Sequence, residues 1–251
     1  MKSSSKTFMD KTFMDNQVFL NYPFDHEFEL LAHAMHFAVI AAGLIPICAK
    51  DVNVPDKLRL ETLVTTISSC RFSIHDFSRS KGEGEKNLGR FNMPIELGMA
   101  LFYAYSTEQY GHRCAFFVAA SDDYQISHEY QRFASDLAGL DPKHYDDELS
   151  LAKSVYEWLR EVQAVLNDIS IVGMQRKYQD FQKELERIKG SEKDGRPTHS
   201  EAEELMYRMC SMWGWWDWRE SKWGKSKFRP LPLSWKDTHQ NSPYKLLDVD
   251  L

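Results

Sequence analysis

Between residues 17 and 168, short and mainly apolar runs alternate with longer segments of helical period, and that alternation admits few folds. Val18, Phe19 and Leu20 make the first run, closed by Tyr22 and Pro23, because a proline has no N–H to continue a ladder. Residues 44–48, 71–75 and 114–119 make three more, the last apolar throughout and so expected at the centre of a sheet. Residues 25–42 carry Phe28, Leu31, Ala32, Met35 and Val39 at helical spacing, with Asp25 as a cap and Gly43 as the stop. Residues 58–69, capped by Asp56, carry Leu60, Leu63, Val64 and Ile67 in the same way. Another helix starts at Pro94, a residue suited to a first turn, and residues 124–137 and 149–166 complete the series. Strands buried on both faces and separated by helices specify a parallel sheet with helices on either side. The expected fold is an open α/β domain of Rossmann-like or flavodoxin-like type over residues 17–168.

The two ends read differently. Residues 6–10 and 11–15 repeat the pentapeptide Lys-Thr-Phe-Met-Asp, far short of the roughly 20 to 50 residues of a solenoid unit, so residues 1–16 are expected to form a flexible arm. After residue 168 come a charged helix over 174–189, a linker over 190–197, and a capping box of Thr198 with Glu201 that opens a helix to about Met212. Six of the seven tryptophans then fall between positions 213 and 235, interspersed with Arg219, Lys222, Lys225, Lys227 and Arg229. Residues 169–251 are thus expected to be a helical, tryptophan-rich extension. Its rings belong to a core or a domain interface, or else form a surface for a protein partner.

Composition excludes several classes. A net charge of −6 and a pI near 5.9 argue against a whole-domain binder of phosphate backbones, so a nucleic-acid partner is not expected. No run reaches the roughly 20 apolar residues of a membrane span; the longest, over residues 32–48, is broken by His33, His36, Gly43 and Pro46. With no secretory apolar stretch near the N-terminus, the expected location is cytoplasmic. Cys48, Cys70, Cys114 and Cys210 match no zinc spacing and read as reduced thiols, mostly in the core. His33 and His36 share a helix face, but no patterned Asp, Glu or Cys completes a ligand set, so a structural role and no metal are expected. No phosphate loop of the Walker type, Gly-x-Ser-x-Gly elbow or Cys-His nucleophile signature is present.

In open parallel sheets ligands bind outside the carboxyl ends of the strands, which singles out three segments. Residues 21–25 follow the first strand, His75 and Asp76 close the third, and residues 90–98 open the next helix. Strand alternation sends His75 and Asp76 to opposite faces, so the two are not expected to act together. Glu96 falls in a first helical turn, where the dipole welcomes a carboxylate.

The block Pro94-Ile95-Glu96-Leu97-Gly98-Met99-Ala100 resembles the Glu-Leu-Gly-x-Ala helix of the nucleoside 2-deoxyribosyltransferase-like superfamily. Phe19-Leu20-Asn21-Tyr22-Pro23-Phe24 is similar to that superfamily's first strand and its aromatic-proline ending, and Asp76 stands at the matching strand end. The superfamily is related in fold and chemistry to Toll/interleukin-1 receptor NADase domains, and the chain looks like a bacterial branch of it. The likeness covers about three fifths of the sequence, from residue 17 to residue 160. It departs from the pattern where Asp76-Phe77 and Asn92-Met93 replace an Asp-Gly and a Gly-Thr.

The resemblance implies Glu96 as the carboxylate that attacks or stabilises the anomeric carbon of a ribosyl group, with Asp76 as a second carboxylate and Tyr22 orienting Glu96. Asn21, Pro23, Phe24, Asp25, Phe77, Arg79, Arg90, Asn92 and Met93 would line the substrate. Arg79 and Arg90, with Lys81, suit a phosphorylated substrate such as NAD or another nucleotide, or else form a solvated loop face. The expectation is therefore an N-glycosidase acting on NAD or a related nucleotide, with no separate cofactor; the alternative is a module that binds a nucleotide signal and passes occupancy to a partner. The resemblance further implies a homo-oligomer and a place in antiphage defence or toxin action.

Overall fold

The computed structural model describes residues 16–51, 58–78, 92–106, 113–119, 143–191 and 197–215. Five parallel strands, β1 (Gln17–Asn21), β2 (Ile45–Cys48), β3 (Phe72–Asp76), β4 (Arg113–Ala119) and β5 (Lys143–Tyr145), form one open sheet in the order β2-β1-β3-β4-β5. The helices are α1 (Glu29–Ala41), α2 (Arg59–Ser69), α3 (Asn92–Ser106), α4 (Glu148–Glu161), α5 (Ile171–Ser191) and α6 (His199–Met212).

Alternation along β1 shows how both faces of the sheet are covered. Val18, Leu20 and Tyr22 enter a large core with α1 and α4, whereas Phe19 joins Leu63, Ile67 and Ala100 beneath α2 and α3. The expected open parallel α/β sheet with helices is present. Asp25 caps as anticipated, its carboxylate accepting from the Phe28 N–H at 2.9 Å, although it caps a 3-10 turn at His26–Phe28 that leads into α1. Gly43, at φ +84°, ends α1; a Cβ there would stand 2.9 Å from the Leu166 Cβ. Thr198 and Glu201 form the expected capping box on α6.

Three features depart from the sequence reading. The helix expected over residues 149–166 stops at Glu161, because the backbone beyond it is taken elsewhere: the Leu166 and Asn167 N–H groups both bond to the Ala42 carbonyl. The Tyr156 hydroxyl holds this crossing by donating to the Asn167 carbonyl at 2.7 Å and accepting from the Ile169 N–H at 2.9 Å. β5 has no signal in the sequence, since Lys143-His-Tyr145 has neither length nor an apolar run. Leu58, rather than Asp56, occupies the N-cap position of α2 and makes no side-chain cap bond, while Asp56 and the helix expected over 124–137 lie outside the described residues.

The segment after residue 168 shares the main core. Met174, Tyr178 and Phe181 of α5 and Leu205, Met206 and Tyr207 of α6 are buried in the same cluster as Phe37, Leu20 and Ile74. Trp213 and Trp215 pack against it, Trp213 edge-on to Phe37 and 4.6 Å from the Lys177 ammonium. The Asn167 amide donates to the Trp215 carbonyl, tying the crossing segment to the end of α6. Trp216, Trp218, Trp223 and Trp235 lie outside the described residues. Among the described residues no helix is long and apolar enough to cross a membrane.

Two consequences are measurable. Phe37→Ala removes a fully buried ring that meets Tyr178, Phe181 and Trp213, and should lower the free energy of urea unfolding by about 3–5 kcal/mol. A chain ended at residue 168 lacks α5 and α6 and should show no cooperative thermal transition by circular dichroism; a cooperative transition would mean that the sheet and its first four helices stand alone.

Candidate active site and the clusters beside it

At the carboxyl edge of the sheet, consecutive residues diverge. Asn21 and His75 turn toward α2 and α3, while Tyr22 and Asp76 turn toward α1 and α4. Three groups of polar side chains result.

The first joins β1, β3 and the start of α3. The Asn21 amide nitrogen lies 3.0 Å from His75 Nδ1 and donates to the Met93 carbonyl at 3.0 Å. His75 Nε2 on the far side of the ring lies 3.0 Å from Ser73 Oγ. All of this is buried, and it fixes the first turn of α3 against the ends of the two central strands. One turn further along the chain lies Glu96, only 4% exposed. Burial pushes its carboxyl up to about 7, opposed by the Arg59 guanidinium from α2. A carboxyl with that proton affinity exists in both protonation states near neutral pH, as a proton-transfer group requires, whereas stabilising a cation needs its ionised form.

The second group holds Asp76. Its Oδ2 accepts from the Tyr145 hydroxyl at 2.7 Å, and its Oδ1 accepts from the Ser78 N–H and hydroxyl. Fully buried, this carboxylate ties β5 and the turn after β3 to the strand end. The third group contains Tyr22, whose hydroxyl lies 2.9 Å from His36 Nε2 on α1; the orienting partner expected for Glu96 is engaged on the other face of the sheet. Burial also raises the Tyr22 proton affinity well above that of a free phenol.

The remaining anticipated residues sit around these groups. Pro23 is buried, Phe24 is partly exposed with its ring edge-on to Tyr22 and 4.7 Å from the Lys50 ammonium, and Asp25 serves as the cap already described. Phe77 and Met93 are buried and Asn92 is exposed at the start of α3. Arg79 and Arg90, and with them the expected phosphate contacts, lie outside the described residues.

Sequence spacing missed the partners of His36. His36 Nδ1 lies 3.4 Å from Glu203 Oε1 of α6, and its ring meets that of His199 edge-on with centroids 4.7 Å apart. His199 Nε2 is 3.7 Å from Cys48 Sγ at the end of β2. Asp51, in the turn that follows, accepts from the Cys48 N–H at 2.8 Å. The participants are separated by as many as 167 residues, and only the His199/Glu203 spacing of one helical turn left a mark in the sequence. Cys48, Cys70 and Cys210 are buried and reduced, as expected of core thiols, and burial pushes the first two up to about 12, which leaves them poor nucleophiles.

The state of Glu96 has a thermodynamic signature. Its folded proton affinity exceeds that of an unfolded carboxyl, so between about pH 4.5 and 7 the native state holds more protons and stability falls as pH rises. Glu96→Gln should leave stability nearly unchanged at pH 4 and raise it at pH 8 by roughly 2–3 kcal/mol, measured by urea unfolding at the two pH values. The sequence matches no protein-family model and no curated protein.

Proposed function

We propose that the protein hydrolyses the ribosyl N-glycosidic bond of NAD or a related nucleotide, with Glu96 as the carboxylate at the sugar. The observation that carries this reading is a buried carboxyl, poised near neutrality, at the carboxyl edge of a parallel sheet. The strand order is that of flavodoxin-like sheets, in which ligands lie at the switch point between β1 and β3. Asn21 and His75 stand near the ends of those two strands, and Asn21 bonds to the Met93 carbonyl of the helix that carries Glu96.

The chemistry follows from charge. As the bond between the anomeric carbon and the base nitrogen breaks, its electron pair leaves with the base and the sugar takes on oxocarbenium character, which ionised Glu96 stabilises. Water then supplies hydroxide to the anomeric carbon and releases a proton. In NAD the nicotinamide nitrogen is already cationic, so nicotinamide departs neutral and needs no acid. That favours NAD over a neutral nucleoside here, since the Asp76 carboxylate is held by Tyr145 and Ser78 and Tyr22 by His36. The same engagement of two of the three expected catalytic groups favours, as a second reading, a site that binds a nucleotide without cleaving it.

Chromatography of NAD, NADP, ATP and deoxynucleosides after incubation with the protein separates these readings. Release of nicotinamide from NAD is expected, with kcat/KM rising through about pH 7 as Glu96 ionises and then levelling. Glu96→Gln should reduce turnover by at least about 100-fold. Undiminished activity in that variant would eliminate the assignment, and tight binding without product would favour the sensor.

A further inference from the structure

We propose that His36, Cys48 and His199 form a binding site for a divalent metal ion of the zinc class, with the Glu203 and Asp51 carboxylates around it. The site lies on the α1 face of the sheet, across from Glu96, and does not rest on the glycosidase reading.

One donor atom from each of His36, Cys48 and His199 lies within 4.8 Å of the others, and Asp51, His199 and Glu203 form a second such set sharing His199. Tetrahedral zinc, with bonds of about 2.0–2.3 Å to nitrogen, oxygen and sulfur, sets its ligand atoms roughly 3.3–3.7 Å apart. The 3.7 Å between Cys48 Sγ and His199 Nε2 and the 3.4 Å between His36 Nδ1 and Glu203 Oε1 already have that spacing. The donor types are right as well: two imidazoles and a thiol select zinc-like ions over magnesium or calcium, which prefer oxygen alone.

The surroundings have the organisation of a ligand shell. His36 uses its other ring nitrogen on the Tyr22 hydroxyl, the kind of outer hydrogen bond that fixes a ligating histidine. Asp51 accepts from the backbone N–H of Cys48 and so holds the turn after β2 against the strand end. The groups come from the middle of α1, the end of β2 and the first turn of α6, so an ion bound there would clamp the last described helix onto the sheet. The Cys48 thiolate and the Glu203 carboxylate would together balance the two charges of a dication in a place where Glu203 is 1% exposed and His36 1%, with Asp51 exposed at its margin.

The test is titration of the purified full chain, stripped of metal, with Co²⁺ and separately with Zn²⁺. One equivalent of Co²⁺ should give intense visible d–d bands of tetrahedral geometry and a near-ultraviolet thiolate-to-cobalt charge-transfer band. Zn²⁺ should displace it and raise the melting temperature. Cys48→Ser should lose the charge-transfer band, and His199→Ala, a change at a partly exposed helix start, should weaken cobalt binding at least 10-fold while keeping the wild-type circular dichroism. Absence of the charge-transfer band in the folded wild type, or its persistence in Cys48→Ser, would overturn the proposal. So would undiminished binding by His199→Ala.

Discussion

Everything at the carboxyl edge of this sheet follows from the two-residue repeat of a strand buried on both faces. A polar residue at the end of such a strand must turn to one side or the other, and its neighbour must turn the opposite way. Asn21 and His75 therefore meet beneath α3, while Tyr22 and Asp76 meet the groups offered by α1, β5 and the turn after β3. Residues adjacent in sequence belong to separate clusters, and what looks like one continuous motif is divided between two faces. The division matters chemically, because each cluster has its own set of hydrogen bonds and its own opportunity to bind an ion or a substrate.

The two faces also differ in what they contain. Beneath α2 and α3 the core is small, and Glu96 is buried there as a carboxyl whose charge is discouraged by its surroundings. On the other face the core is large, built from α1, α4, α5 and α6, and it includes the buried Asp76 with Tyr145 and, at the junction of three elements, a histidine-cysteine-carboxylate group. Burying His36, Cys48 and Glu203 there is tolerable only where they satisfy one another, or where a bound ion does so.

Much of the fold was legible in the sequence because it rests on local periodicity. The runs at Val18–Leu20 and before Cys48, the glycine stop at Gly43 and the capping box at Thr198 each act over a few residues. β5 was not legible, because a three-residue edge strand defined by pairing with β4 carries no pattern of its own. The early end of α4 was hidden for a related reason: Val162 and Leu166 continue a helical stripe, but the Leu166 and Asn167 N–H groups bond to the Ala42 carbonyl, far away in sequence, and the Tyr156 hydroxyl holds Asn167 and Ile169. Glu96 could be singled out from its motif, but the helix starts at Asn92 and not at Pro94, so Glu96 lies beyond the first turn in which the dipole would favour its charge, and its proton affinity depends on burial that no spacing encodes. The His36 cluster was the least visible part, since its ligands come from three elements that meet only through the tertiary fold.

The central claim is that a carboxyl group poised near neutrality faces the ligand at the switch point. Its most direct test is the carboxyl carbon resonance of Glu96, assigned by comparison with Glu96→Gln and followed by NMR across pH with and without a hydrolysis-resistant NAD analogue. The resonance should titrate near pH 7 in the free protein, and its midpoint should move when the analogue binds. A midpoint in the ordinary carboxylate range, unaffected by the nucleotide, would contradict the account.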